Sequence, residues 1–141
     1  MLNTDSKQLQ ELTPNQTQWI AALRSGNYAQ TTAGNLHDSK GFCCLGVAAK
    51  EFLTDDVSVN TNYDCKDVTR WLYNGEGGKA PKYVIDALGL NSACGDPIRG
   101  TDDALTGLND NGSTFNEIAD ILEANPGHYF KAIPTVQTGS E

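Results

Sequence analysis

The chain has 141 residues, a length that fits one domain with a single core. Hydrophobic residues make up 38% and charged residues 20%, so the chain can bury a core and is expected to fold. The formal net charge of −8 argues against a general DNA or RNA coat, because neutralising phosphates needs the opposite sign. A basic partner, or solubility alone, agrees better with this charge.

Residues 1–12 are polar and lack the positive segment and apolar run of a secretory signal. No apolar run approaches the length of a membrane span. We therefore expect a cytoplasmic protein without a membrane segment, with its four cysteines reduced. The predicted organisation is a flexible N-terminal arm over 1–12, a single globular domain over 13–130, and a C-terminal tail over 131–141.

The first predicted helix begins at Thr13. Pro14 suits the first helical position, and Gln16 stands where a capping box requires it. Its apolar face consists of Trp19, Ile20 and Leu23. Gly26 is predicted to end the helix in a left-handed conformation.

Residues 27–42 predict a β-hairpin that turns at Asp38-Ser39-Lys40-Gly41. A second helix is predicted from about Cys43 to Phe52, because its apolar residues recur at helical spacing. Gly46 inside this helix costs about 1 kcal/mol relative to alanine. We expect another backbone to pack closely against it.

Residues 54–62 predict a loop or an edge strand. Asp64 is interpreted as the cap of a short helix whose inner face carries Val68, Trp71 and Leu72. Residues 74–78, with three glycines, predict a flexible connector.

Pro81 and Gly89 bound the next predicted helix, and residues 91–103 predict a loop. Thr114 and Glu117 form a capping box at the start of the last helix. The sequence therefore predicts an α+β fold, a small single domain that is mostly helical, with four or five helices and a short β-hairpin. The predicted core includes Trp19, Cys43, Cys44, Leu45, Phe115 and Ile118.

The adjacent thiols of Cys43 and Cys44 stand at a predicted helix N-terminus, where a thiolate is favoured. A cysteine nucleophile also needs a base, and His37 is a candidate for it. The alternative is that both cysteines are small buried core residues. We favour the second hypothesis, in which both cysteines are buried in the core, and we predict no catalytic residue.

Four cysteines and two histidines could in principle bind zinc, but the short paired spacing of structural zinc sites is absent. The chain also lacks GxGxxG and GxxxxGK[ST] phosphate-binding motifs. Asp102, Asp103 and Asp110 flank the last helical region without EF-hand spacing. We therefore predict no metal and no cofactor.

Three segments together resemble a family of small proteins encoded by tailed phages and prophages. They are WIAALRSGNYAQ over 19–30, GFCCLGV over 41–47 and LTGLNDNGSTFNEIADILE over 105–123. The LGL at 88–90 also fits, and the resemblance covers roughly residues 19–124. Family members often carry another cysteine and an acid where this chain has Val47-Ala48-Ala49-Lys50. No activity is established for the family, so the resemblance carries over no catalytic residue.

The resemblance implies an accessory protein, acting in host takeover or against host defence in the infected host's cytoplasm. We expect it to bind and sequester a small, nucleotide-derived immune signal, with the possibility of a homo-oligomer. The predicted ligand-binding residues are Arg24, Tyr28, Gln30, His37, Asn109 and Asp110. Because the chain is acidic, a local cation from Arg24, Arg99 or Lys40 is required.

Two other functions stay open. One is an acidic, protein-binding inhibitor or DNA mimic that occupies a nucleic-acid site on a host enzyme. The other is a cysteine-dependent enzyme that uses Cys43 or Cys44. Direct nucleic-acid binding disagrees with the net charge.

Overall fold

The computed structural model describes residues 11–63, 68–98 and 100–131. The elements in chain order are α1 (Pro14–Arg24), β1 (His37–Asp38), β2 (Gly41–Phe42), α2 (Cys44–Glu51), β3 (Val59–Tyr63), β4 (Thr69–Tyr73), α3 (Lys82–Leu88), α4 (Leu105–Asp110), α5 (Phe115–Ala124) and α6 (Pro126–Tyr129). The predicted α+β class is therefore confirmed. The predicted terminal arm and tail lie outside the described residues, apart from Glu11, Leu12 and Lys131.

The four strands form one sheet in the order β2-β1-β4-β3. The predicted hairpin is confirmed: His37 pairs with Phe42 and Asp38 with Gly41. The buried Asp38 carboxylate holds the turn by accepting hydrogen bonds from the Thr31 hydroxyl (2.9 Å) and the Lys40 backbone N–H (2.9 Å). The hairpin is short, but it joins a larger sheet than the sequence predicted.

The predicted helix containing Val68, Trp71 and Leu72 is wrong. Residues Thr69–Tyr73 form β4, which pairs antiparallel with the whole length of β3. The spacing of the three apolar residues fits a helix, but β-branched and aromatic residues also suit a strand, and long-range pairing decided the outcome. The proposed cap, Asp64, lies outside the described residues. Residues 54–62 were predicted to form a loop or an edge strand, and the edge strand β3 forms over Val59–Tyr63.

The Asn74-Gly75 pair forms a tight turn, where the glycine content of residues 74–78 predicted a flexible connector. Both residues have positive φ, at 52° and 84°. Tyr73 and Glu76 exchange two backbone hydrogen bonds of 2.9 and 3.0 Å across them. Asn-Gly is the preferred pair for a two-residue turn of this kind, because both positions need left-handed backbone.

Four of the predicted helix-end signals are confirmed. Capping boxes are complete at Thr13 and at Thr114. Gly26 has a φ of 77°, and Gly89 has a φ of 72°. The Leu90 N–H donates to the Ile85 carbonyl across Gly89, as in a Schellman motif. The two short helices α4 and α6 were not predicted.

The core lies between α1, α2, α3, α5 and the loop segments that cover them. α2 is its centre, since all residues from Cys44 to Ala49 are buried. The Trp19 indole N–H donates to the Cys44 carbonyl (2.9 Å), and the Gln16 amide donates to the Leu88 carbonyl (2.7 Å). The predicted core residues are all buried: Trp19, Cys43, Cys44, Leu45, Phe115 and Ile118.

Candidate ligand-binding site

A shallow depression of about 600 Å³ lies where α1 and α2 meet the end of β2. Its lining residues are Gln18, Ala21, Ala22, Ser25, Asn27, Tyr28, Phe42, Lys50 and Glu51. Three of them come from α1 and a fourth is its C-cap, Ser25; they follow Gln18 at spacings of three, four and seven residues, which places them on one face. The alanines and the serine on that face are small, so the surface is hollow there. The volume is in the range of small-molecule sites.

The Glu51 carboxylate fixes one wall of the depression. It accepts one hydrogen bond from the Tyr28 hydroxyl (2.5 Å) and one from the Gln18 side-chain amide (3.1 Å). Partial burial, and then the bond to Glu51, raise the pKa of Tyr28 well above its usual range. The phenol therefore stays protonated and works as a fixed donor. A carboxylate has about four acceptor positions, so Glu51 keeps capacity for a ligand N–H.

A row of stacked rings continues from this wall into the sheet. The Tyr28 and Phe42 rings are perpendicular to one another, with their centroids 5.0 Å apart. Phe42 stacks on His37 at 3.8 Å, and His37 stacks on Trp71 at 4.2 Å. The rings hold one another in place, so Phe42 presents a rigid apolar surface to the depression.

The His37 imidazole is neutral in this row. Burial, and then the nearby Lys50 ammonium, lower its pKa to about 4, against a smaller opposite effect of Asp38. Its Nδ1 lies 2.8 Å from the Tyr73 hydroxyl. His37 therefore supports the Phe42 ring by stacking on it, and it adds no positive charge to the site near neutral pH.

Two polar side chains of the depression keep their hydrogen-bonding capacity. Within the described ranges, the Lys50 ammonium has no ion pair or hydrogen bond, and the Asn27 side-chain amide has no hydrogen-bond partner. Lys50 is exposed at the end of α2. The depression thus offers one unpaired cation and one unpaired amide beside a rigid aromatic ring.

Of the six predicted ligand-binding residues, Tyr28 lines the depression. His37 lies one ring behind it, in the stack. Arg24 pairs with Asp120 (2.9 Å) and with Glu123 on α5, so its charge is used to join two helices. The other two cations named from sequence do not supply a charge here: Lys40 is in the hairpin turn, and Arg99 lies outside the described residues.

Asn109, Gln30 and Asp110 form a separate polar cluster. The fully buried Asn109 carbonyl oxygen accepts from the Gln30 amide (2.8 Å) and the Cys44 backbone N–H (3.1 Å). Its amide donates to the Thr31 carbonyl (2.8 Å) and to the Asp110 carboxylate (3.1 Å). These bonds join α4 to the start of α2, so the polar atoms of Asn109 are used inside the fold.

The two adjacent thiols are buried, with 3% of Cys43 and none of Cys44 exposed. Burial raises the pKa of Cys43 to about 12, and it also raises the pKa of Cys44. The Cys43 sulfur accepts from the Gly46 N–H, and the Cys44 thiol donates to the Leu105 carbonyl. Neither thiol contacts an imidazole within the described residues. This environment disfavours a thiolate nucleophile.

Other site chemistries have little support in the described part of the chain. No three His, Cys, Asp or Glu side chains there converge as metal ligands. None of the described helices has the length and apolar character needed to cross a membrane. Exposed carboxylates are distributed along the chain from Asp55 to Glu123, and several of them pair with Lys82, Arg24 or His128.

Several residues that line the depression were not predicted as site residues: Gln18, Asn27, Phe42, Lys50 and Glu51. One signal was available for α1, where small and polar residues at helical spacing mark an exposed face without bulk. Nothing local marked Lys50, because its role depends on the packing of α2 against α1.

A family model described as "Domain of unknown function (DUF8296)" matches residues 14–126. This chain belongs to that family. The match covers both sides of the depression and the buried core residues from Trp19 to Leu122. No curated protein and no solved structure matches the chain.

Proposed function

We propose that this protein binds and sequesters a small molecule that carries a planar ring with N–H donors and one anionic group. A nucleotide-derived signal has this chemistry. The observation that carries the proposal is the Lys50 ammonium, which has no partner among the described residues and lies in a depression beside Phe42 and Tyr28. The ring would lie against Phe42, its N–H groups would reach Glu51, and the anion would bind Lys50.

The charge of the site limits what it can bind. Lys50 supplies one positive charge, while Glu51 is a neighbouring carboxylate and the whole chain carries −8. A long polyanion brings more negative charge than Lys50 can neutralise and would be repelled. A compact ligand with one phosphate at the contact avoids this repulsion.

The buried, protonated thiols of Cys43 and Cys44 support a binding protein over a cysteine-dependent enzyme. The resemblance to small phage and prophage proteins supports the setting: an accessory protein in the infected host's cytoplasm that removes a defence signal by binding it. An acidic inhibitor of a host nucleic-acid enzyme is the alternative. The net charge favours it, although ion pairs occupy several exposed carboxylates.

Calorimetry against nucleoside monophosphates, cyclic mononucleotides, cyclic dinucleotides and the matching nucleosides tests the proposal. We expect at least one phosphate-bearing compound to bind and to be recovered unchanged. Its nucleoside and the Lys50→Gln variant should each lose about tenfold in affinity, which is typical for a charge-assisted hydrogen bond.

Lys79→Gln is the matched control, since Lys79 is an exposed lysine outside the depression. It should bind as the unmodified chain does. The proposal fails if no compound binds, or if Lys50→Gln and Lys79→Gln bind equally well.

A further inference from the structure

The two outer edges of the sheet differ in how they are covered. At β2, the Phe42 N–H donates to the Ala29 carbonyl (2.8 Å), and the Thr31 N–H donates to the Phe42 carbonyl (2.9 Å). Residues 29–31 therefore cover that edge. At β3, no backbone from residues 11–63, 68–98 or 100–131 pairs with the outer edge. All five residues of Val59–Tyr63 are exposed.

The register of the sheet shows which backbone groups of β3 face outward. The Asn74 N–H donates to the Ser58 carbonyl (2.7 Å), and the Ser39 N–H donates to the Thr69 carbonyl (3.1 Å). In an antiparallel ladder, hydrogen bonding to one neighbour alternates along a strand. Asn60 and Asn62 therefore bond to β4. The N–H and C=O groups of Val59, Thr61 and Tyr63 point away from the sheet.

Val59, Thr61 and Tyr63 can pair with the same three residues of a second copy of the chain. If two β3 strands pair antiparallel around Thr61, each Thr61 faces Thr61 of the other copy, and each Val59 faces Tyr63 of the other copy. Threonine pairs and aromatic–β-branched pairs are favourable across strands. Every outward backbone donor then meets an outward acceptor.

The composition of β3 also favours pairing with a second copy of the chain. VNTNY contains no charged residue and no proline, the features that normally protect an edge strand from pairing. Val59 and Tyr63 are 41% and 69% exposed, and both side chains lie on one face of the strand. A foreign strand would have to match both the register and this apolar pair, whereas a second copy matches them by symmetry.

We propose that the protein forms a two-fold symmetric dimer in which β3 pairs antiparallel with β3 of a second copy, centred on Thr61. The dimer extends the sheet across the two copies. Because each copy carries a net charge of −8, the copies repel one another at a distance. Added salt should therefore strengthen the dimer.

Sedimentation equilibrium of the full chain over a range of concentrations and salt measures this association. Thr61→Pro removes an outward N–H without removing a bond to β4, and it should weaken the dimer at least about tenfold. Thr61→Val keeps the N–H and should dimerise like the unmodified chain. The circular dichroism spectrum and the melting temperature check that both variants fold.

A pair of double variants tests the register. Val59→Lys with Tyr63→Lys sets like charges opposite one another across the interface, so it should be monomeric. Val59→Lys with Tyr63→Glu sets opposite charges there and should dimerise. The proposal is overturned by a chain that stays monomeric at every concentration, by a folded Thr61→Pro dimer of undiminished affinity, or by equal association of the two double variants.

Discussion

The carbonyl group of Leu36 occupies the space that a β-carbon on Gly46 would need. This contact explains why a glycine stands in the middle of the buried helix α2, where it lowers helix propensity. The loss in propensity is compensated by close packing of the helix against the Leu36 backbone.

Gly46→Ala should therefore destabilise the protein by about 3 kcal/mol, because a backbone carbonyl cannot move aside as a side chain can. Gly107→Ala is the matched control. Its β-carbon would meet Asp103 at an ordinary 3.6 Å, so the helix should gain about 0.5 kcal/mol. Urea unfolding of both variants measures the difference, and equal effects would contradict the proposed contact.

Replacing Asn109 should have a large effect on stability. Asn109→Leu leaves the Cys44 N–H and the Thr31 carbonyl without their partner inside the fold. Unsatisfied buried groups of this kind cost about 3 kcal/mol together. Asn116→Ala, an exposed position on α5, should change the free energy of unfolding by less than about 0.5 kcal/mol. An Asn109→Leu protein as stable as the control would argue against the polar cluster.

The stability of the protein should depend on His37 in mildly acidic solution. The folded chain lowers the pKa of His37 to about 4, whereas the unfolded chain has the ordinary value of 6.5. As the pH falls below 6.5, the unfolded chain takes up a proton that the folded stack resists. The stabilisation is therefore complete above about pH 6.5 and is lost progressively towards pH 4.

His37→Phe keeps a ring between Phe42 and Trp71 and removes the titrating group. Its free energy of unfolding should fall less between pH 6.5 and pH 4 than that of the unmodified chain. Urea unfolding at a series of pH values measures both slopes. Parallel curves would show that His37 does not titrate in this way.

The thiols of Cys43 and Cys44 should react slowly. Both are buried with raised pKa values, so iodoacetamide at neutral pH should modify them at least about 100-fold more slowly than in the unfolded chain. The half-buried Cys94 is the comparison within the same molecule and should react faster. Mass spectrometry of the peptides assigns each site. Rapid alkylation of Cys43 or Cys44 in the folded protein would contradict this prediction and would support the cysteine-dependent enzyme.

Local signals in the sequence predicted the helix ends well. The capping boxes at Thr13 and Thr114 and the left-handed glycines at 26 and 89 need only neighbouring residues, so they could be found without the fold. β4 could not be assigned in this way, because the helical spacing of Val68, Trp71 and Leu72 competes with pairing to a strand. Asn74-Gly75 is a local hairpin signal, and its turn lies where a flexible connector was predicted.

The candidate site was harder to predict for the same reason. Tyr28 was identified from its position after α1, but Lys50 and Phe42 reach the depression through the packing of α2 and the hairpin. Arg24 and Asn109 are polar residues in suggestive positions, and the fold uses them internally. Sequence patterns indicate which groups are available, and tertiary contacts decide which of them remain free to bind.

The two backbone groups of Leu36 are bonded to one distant and one nearby part of the chain. Its N–H donates to the Gly77 carbonyl (2.7 Å), and its carbonyl accepts from the Cys43 N–H (2.9 Å). The segment against which α2 docks is thus held by a residue about forty positions further along the chain. Closing such a long loop is slow relative to forming a helix or a hairpin. The centre of this core is therefore expected to consolidate late in folding, after residues 73–77 have made their turn.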